Sequence, residues 1–277
     1  MNSIATMQSP PWLVRIAQQQ PSMRLFCFAY AGGSAFSFMP WRSALNPAIE
    51  ICAVQLPGRG ARIAEPPIDS MAALLPAMAP AIAQLGALPF AFFGHSVGAL
   101  IAFELARYLY LHGVVVPERL FMSGCHAPQF RSPSRQLHTL PDGAFIDELR
   151  HYNGTPAEVL ESRELMALML PTIRADFAIA ENYRYRPGPL LQIPISVYAG
   201  LQEENKGHGQ VEGWQKETSA DLRTTWFEGG HFFINSERGA VLEQLDAELL
   251  ELLGAIGGKR VAQPYPGNDA GGRKSLG

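Results

Sequence analysis

A serine, a histidine and a carboxylate in this chain have the types and placement that nucleophilic hydrolysis requires. Ser96 lies in Gly94-His95-Ser96-Val97-Gly98, which fits the pattern G-x-S-x-G. A serine hydroxyl is a poor nucleophile until a base takes its proton, and that base needs an acid to fix its tautomer and stabilise its charged form. The chemistry of Ser96 therefore depends on a histidine and a carboxylate elsewhere in the chain.

The residues around Ser96 predict the local structure that exposes such a nucleophile. The apolar run Phe90–Phe93 is typical of a buried strand, and an apolar helical pattern follows from Ala99 to Leu111. Gly94 and Gly98 allow the strand and the helix to approach closely, and the tight turn between them lifts the serine hydroxyl above the sheet edge. Strand, turn and helix in this order are typical of a nucleophile elbow.

His231 is the predicted base among seven histidines. It follows Gly229-Gly230 after the last predicted strand, and it comes last in the chain order nucleophile, acid, base that α/β hydrolases use. The alternative is a loop histidine that only packs against Phe232 and Phe233. His95, inside the elbow, is expected to point away and to pack structurally. The other five histidines have no placement that suggests catalysis: His112, His126, His138, His151 and His208.

The acid is expected after a late strand, and the candidate strand ends at Ala199-Gly200. Glu203 is the first choice and Glu204 the second, since glutamate can fill this role. The alternative is that both belong to a solvated acidic loop. The loop after the predicted strand Arg119–Ser123 offers no acid, and Asp176 lies inside a predicted lid helix, where a lid or docking role is expected.

An oxyanion hole requires two backbone N–H donors, one from the residue after the nucleophile and one from the loop after the first core strand. The candidates are Val97 and Ala31, the latter in the glycine-rich loop Tyr30–Ser34. Glycine-rich loops also bind phosphate, but this one has neither the G-x-G-x-x-G pattern nor a Walker lysine, so a nucleotide site is not expected.

Predicted strands alternate with helices as far as Ser123, which indicates a parallel sheet with right-handed crossovers. The pattern then gives way to helical segments that contain no predicted core strand. The predicted fold class is α/β: an α/β-hydrolase fold with a mainly parallel sheet, helices on both faces and a helical lid insertion. The expected divisions are a peripheral N-terminal segment (1–22), the core (23–126 and 190–256), the lid (127–189) and a disordered tail (257–277).

Composition limits the partners and the compartment. The 277 residues are 47% hydrophobic, ample for a core, and a net charge of −3 gives no reason to expect nucleic acid or an anionic membrane as partner. Cys27, Cys52 and Cys125 lie in apolar surroundings and are expected to be buried thiols, with neither a disulfide framework nor a metal site. With no secretory signal and no membrane span recognised, the expected location is the cytoplasm.

Taken together and in order, the motifs resemble the type II thioesterases of nonribosomal peptide and polyketide synthesis. Each motif alone is weak, but their joint order over about 24–253 is specific. The matching pieces are Phe28–Ser34 with Trp41, Gln55–Gly60, Gly94–Leu100 with Phe103–Ala106, Leu140–Asp142, Asn153–Pro156, Leu170-Pro171, Arg174–Phe177 and Gly229–Phe233.

The resemblance implies hydrolysis of an acyl or aminoacyl thioester held on the phosphopantetheine arm of an acyl or peptidyl carrier protein domain. It implies removal of stalled or misloaded groups, with Ser96 acylated, His231 moving the proton and the lid shaping the acyl tunnel. No cofactor is expected, and the protein is expected to be a monomer. The family usually has Asp where this chain has Glu203, so an altered triad geometry and lower activity are expected. Val97 replaces a frequent Met and leaves the backbone donor intact.

Two other functions fit part of the same pattern. A general carboxylesterase or lipase would share Ser96 and His231 and differ only in substrate preference. A non-catalytic module that binds a carrier or partner protein would explain the absence of the usual aspartate.

Overall fold

The strands form one seven-stranded sheet in the computed structural model, in the order β1-β3-β2-β4-β5-β6-β7. The structure describes residues 11–16, 18, 20–85, 88–131, 135–152, 154–155, 157–203 and 208–262. The strands are β1 (Leu13–Ile16), β2 (Met23–Phe28), β3 (Ile49–Val54), β4 (Phe90–His95), β5 (Arg119–Ser123), β6 (Ile195–Gly200) and β7 (Leu222–Phe227). All neighbouring pairs are parallel except β1 with β3, so the mainly parallel sheet is confirmed.

Eight α-helices and five short 3-10 segments connect the strands in the described part of the chain. The α-helices are α1 (Met71–Ala83), α2 (Val97–Leu111), α3 (Asp142–Tyr152), α4 (Ala157–Glu161), α5 (Arg163–Asn182), α6 (His208–Glu212), α7 (Phe233–Ser236) and α8 (Arg238–Ala262). The 3-10 segments are Ala35–Ser43, Gly60–Arg62, Pro128–Phe130, Leu137–Thr139 and Gly213–Glu217. No helix in the described ranges is long and apolar enough to cross a membrane.

Helices cover both faces of the sheet, as the sequence predicts. Every residue of β3, β4, β5 and β6 is buried, which is typical of parallel strands packed between two helical layers. One core cluster joins the strands to α1 and α2, through residues such as Met78 and Phe103. The other joins them to α8, through residues such as Leu245 and Leu249. This sandwich fixes the carboxyl ends of the parallel strands at one edge, where the candidate site lies.

At both ends of the chain the structure contains regular elements that the sequence does not predict. Within 1–22, the short strand β1 pairs antiparallel with β3 at the sheet edge, and Leu13 and Ile16 point into the core. A four-residue strand with two buried side chains leaves too weak a pattern to predict. At the other end α8 continues to Ala262, past the boundary at 257, because a long helix is propagated through Gly257-Gly258 despite the helix penalty of glycine. Residues 263–277 lie outside the described residues.

The described residues between 127 and 189 form helices and turns without a strand. A small apolar cluster holds α3 against α5, with Phe145 and Leu149 from α3 meeting Leu170 and Phe177 from α5. The helical nature of this segment agrees with the sequence, and its action as a lid stays a prediction.

Candidate active site

Ser96 occupies a strained bend between β4 and α2. Its backbone has φ 58° and ψ −120°, a conformation that residues with a side chain rarely adopt. A Cβ atom at Gly94 would come within 2.5 Å of the Ala99 Cα atom, and one at Gly98 within 2.5 Å of the Ala29 carbonyl oxygen. Both glycines are therefore required by close backbone approach, and the bend has the geometry of the predicted elbow.

The structure brings His231 to Ser96 across 135 residues of sequence, with 3.0 Å between His231 Nε2 and Ser96 Oγ. His231 lies in the loop after β7, and its side chain is 26% exposed. A Cβ atom at Gly200 would lie 2.7 Å and 2.6 Å from the carbonyl oxygens of Gly229 and Gly230. The close approach of these backbones sets the position of His231 relative to the loop after β6.

Glu203 lies on that loop after β6, and its carboxylate Oε1 makes a short hydrogen bond with His231 Nδ1. The Glu203 side chain is only 8% exposed, so water screens this contact little. The Gln202 amide donates to the Gly229 carbonyl at 3.0 Å and ties the two loops together. The structure therefore places the first-choice acid on the predicted base. Glu204 lies outside the described residues.

The two predicted oxyanion donors lie on the elbow and on the loop that packs against it. Val97 is the first residue of α2, so its amide has no acceptor within the helix. Ala31 follows β2, which neighbours β4 in the sheet with Phe28 paired to Gly94. Together with the approach of Gly98 to Ala29, this pairing sets the glycine-rich loop against the elbow.

The remaining histidines have structural surroundings where they are described. His95 is fully buried, with its Nδ1 2.9 Å from Ser123 Oγ, so it packs structurally as expected. It does not point away from the base, however, because its ring packs against that of His231 with 5.2 Å between the ring centroids. His138 pairs with Glu181. The rings of His112 and His151 lie at 2.8 Å from backbone carbonyl oxygens four residues earlier in their own helices.

Arg59 and Asp176 form a buried ion pair beside this site that the sequence does not predict. Arg59 Nη1 and Nη2 donate to the two carboxylate oxygens of Asp176 at 2.8 and 2.7 Å. Asp176, on α5, also accepts the Gly32 amide at 2.8 Å. The only signal in the sequence is that both residues lie in motifs that the triad leaves without a role, Gln55–Gly60 and Arg174–Phe177.

The cysteines are free and buried in the structure. Burial raises the pKa of the Cys27 thiol well above its ordinary value and that of Cys52 to about 12. Among the residues that the structure describes, no group of His, Cys, Asp and Glu side chains could hold a metal ion.

Comparison with known proteins identifies the family. The family model of the thioesterase domain matches residues 23–249. Gramicidin S biosynthesis protein GrsT of Aneurinibacillus migulanus is 39% identical over 227 residues, which cover 82% of this chain and 89% of that protein. Thioesterase PikA5 of Streptomyces venezuelae is 38% identical over 246 residues, covering 88% of this chain and 86% of that protein.

A solved structure with the same fold is that of the type II thioesterase BorB from the borrelidin biosynthetic cluster. It matches with a TM-score of 0.80 and 35% identity, and the match covers 89% of this chain and 99% of that one. The agreement of sequence, fold and family model over most of the chain shows that this protein belongs to the thioesterase domain family.

Proposed function

We propose that this protein hydrolyses acyl or aminoacyl thioesters from the phosphopantetheine arm of acyl or peptidyl carrier protein domains, and so removes stalled or misloaded groups in nonribosomal peptide or polyketide synthesis. The observation that carries the proposal is the continuous series of contacts from Ser96 through His231 to Glu203. The biosynthetic names of GrsT and BorB support the choice of pathway.

In the acylation step, His231 Nε2 takes the proton of Ser96 Oγ as the oxygen attacks the thioester carbonyl carbon. The carbonyl π-electrons move to oxygen, and the amides of Val97 and Ala31 stabilise the resulting oxyanion. Collapse of this intermediate expels the pantetheine thiolate, which receives the proton from His231. A thiolate is a good leaving group, so this step requires little proton donation from His231.

In the deacylation step, water takes the place of the thiol. His231 removes a proton from water as its oxygen attacks the ester carbonyl, and returns that proton to Ser96 Oγ as the free carboxylic acid leaves. Glu203 stays ionised in both steps, fixes the Nδ1–H tautomer of His231 and stabilises its imidazolium form. The reaction consumes only water and a loaded carrier, so we propose that it needs no cofactor.

The proposed setting follows from the substrate. The carrier domains belong to biosynthetic enzymes of the cytoplasm, and the three buried free thiols suit a reducing compartment. We propose that a monomer acts there, because Ser96, His231 and Glu203 all come from one chain.

The test measures release of a labelled acyl group from a loaded carrier domain against release from a simple ester of the same chain. The proposal expects the carrier thioester to have the higher kcat/KM and Ser96→Ala to abolish release. Preference for the simple ester would point to a general carboxylesterase. Failure of a fluorophosphonate to label Ser96 in the wild-type protein, together with no release, would point to a non-catalytic binding module.

A further inference from the structure

The Arg59–Asp176 pair is buried at a depth where ions are costly to place. Asp176 is 1% exposed and Arg59 is 8% exposed. Removing two charges from water costs several kcal/mol per ion, so a buried pair is weak evidence for a role in stability. The pair bridges 117 residues of sequence and joins α5 to the loop after β3. The hydrogen bonds that Arg59 and Asp176 make to the neighbouring backbone indicate another role for the pair.

Both partners bind the backbone of the glycine-rich loop. Asp176 Oδ2 accepts the Gly32 amide at 2.8 Å, and Arg59 Nη1 donates to the Gly33 carbonyl at 2.9 Å. Gly32 and Gly33 have no side chains with which to anchor the loop. The backbone has φ +75° at Gly32, where Ile173 of α5 packs so closely that a Cβ atom would lie 3.1 Å from its Cγ1 atom.

The loop that carries Arg59 is fixed in turn. Gln55 at the end of β3 donates to the Arg59 carbonyl at 2.9 Å and accepts the Ala35 amide at 3.2 Å. Thr172 on α5 donates its hydroxyl to the Gly58 carbonyl at 2.6 Å. Arg59 thus has little freedom to move, and its guanidinium works as a rigid bidentate donor.

These contacts restrict which amides of the glycine-rich loop a substrate oxygen could reach. The Gly32 amide is occupied by Asp176 and does not serve a substrate oxygen. The N–H of the peptide between Ala31 and Gly32 is therefore bonded to Asp176, which is itself fixed by Arg59. Fixing this peptide also limits the orientation of the preceding amide, that of Ala31. Oxyanion stabilisation depends on such fixed donors, because no reorganisation is then needed during the reaction.

We propose that Arg59 and Asp176 are positioning residues for the oxyanion hole, which clamp the glycine-rich loop to α5 so that the Ala31 amide is aimed at the carbonyl oxygen of the substrate. This inference rests on the proposed function. Neither side chain touches the substrate; both act through the backbone of Gly32 and Gly33.

The experiment compares Asp176→Asn and Arg59→Lys with the wild type on a loaded carrier domain. Asparagine keeps the size of the side chain but weakens the bidentate pairing, and lysine keeps the charge but offers no planar fork. A small displacement of a catalytic donor lowers the rate by up to about 100-fold. We expect kcat to fall by about 10- to 100-fold with KM nearly unchanged, equally in acylation and deacylation, because both steps form an oxyanion.

An inhibitor pair separates positioning from general loosening of the fold. A trifluoromethyl ketone with the acyl chain of the substrate forms an oxyanion on Ser96, so its affinity should fall in parallel with kcat/KM. An amide-linked acyl carrier that cannot react should bind as it does to the wild type. Retained kcat, or equal loss of affinity for both ligands, would overturn the proposal.

A matched control is Glu50, another buried carboxylate that pairs with arginine. Glu50, 1% exposed, accepts from Arg15 and Arg24 near the amino end of β3, away from the site. Glu50→Gln should lower the thermal midpoint and leave kcat per folded molecule unchanged. If Asp176→Asn does not fold, Arg59→Lys alone decides the question. An inactive wild type would instead refute the proposed function, so the two failures are distinguishable.

Discussion

Two buried carboxylates, one on a loop and one on a helix, have different partners near the carboxyl edge of the sheet. On the loop after β6, Glu203 bonds a histidine, a group whose charge changes when it takes a proton. On the middle turn of α5, Asp176 bonds an arginine, which stays charged throughout. A carboxylate next to a base can stabilise the charge that forms when the base takes a proton. A carboxylate next to a permanent cation can only fix the local structure.

The largest expected effect is a loss of kcat on replacing Glu203, the carboxylate that bonds the proposed base. Glu203→Gln keeps the size of the side chain but removes the charge that stabilises the imidazolium of His231. We expect kcat to fall by about 10³- to 10⁴-fold in carrier deacylation assays, with the fold intact by circular dichroism. Glu204→Ala is the control. If Glu204→Ala has the large effect and Glu203→Gln does not, the assignment of the acid is wrong.

Loss of stability should be larger for Asp176→Asn than for Glu203→Gln, although Glu203→Gln should cost more activity. Asp176→Asn leaves the buried Arg59 guanidinium without its counter-charge, at an expected cost of about 3–5 kcal/mol in the free energy of unfolding. Glu203→Gln keeps a hydrogen-bond partner for His231 and leaves no buried charge without a counter-charge, so we expect a loss of about 1 kcal/mol. Urea denaturation at neutral pH measures both. Equal losses would mean that the two carboxylates are held in the same way.

A shorter acid tests how closely the loop after β6 is fitted to glutamate. Glu203→Asp draws the carboxylate back by one methylene, and the loop is tied to Gly229 through Gln202, so it cannot simply follow. We expect about a tenfold loss of kcat, since donor and acceptor no longer meet in the best geometry. An unchanged or higher kcat would show that the loop adapts and that aspartate fits here equally well.

The smallest expected effect concerns an anchor of α5 that carries no charge. Thr172→Val removes the hydroxyl that donates to the buried Gly58 carbonyl and keeps the shape of the side chain. Leaving that carbonyl unsatisfied should lower the free energy of unfolding by about 1–3 kcal/mol with kcat nearly unchanged. A kcat loss as large as that of Asp176→Asn would show that any loosening of α5 disturbs the reaction. The effect of Asp176→Asn would then not be specific to the Arg59–Asp176 pair.

The sequence predicts the elements whose signals are local. The elbow at Ser96 and the strand β5 appear where they are predicted, and β6 ends at the predicted residue, because each combines an apolar run with nearby turn residues. His231 and Glu203 follow strands β7 and β6, so the order of strands in an α/β sheet is enough to place both at one edge.

The Arg59–Asp176 pair could not be predicted from the sequence. Each residue alone fits a solvated or docking role, and the contact depends on how α5 packs across the loops after β2 and β3. That packing is set by apolar contacts such as that of Ile173 with Gly32, which have no periodic signature in the chain. Strand β1 escapes prediction for a related reason, since its pairing with the edge of β3 depends on the assembled sheet.

The backbone of Ser96 has a consequence for how this protein tolerates change. A glycine at position 96 would relax a conformation with φ 58° that strains any residue with a Cβ atom. Selection for thermal endurance alone would thus favour losing the hydroxyl on which turnover is proposed to depend. At position 96, thermal stability and the proposed catalytic activity therefore favour different residues. Screens for heat-resistant variants need to include an activity assay, so that a stable but inactive protein is not selected.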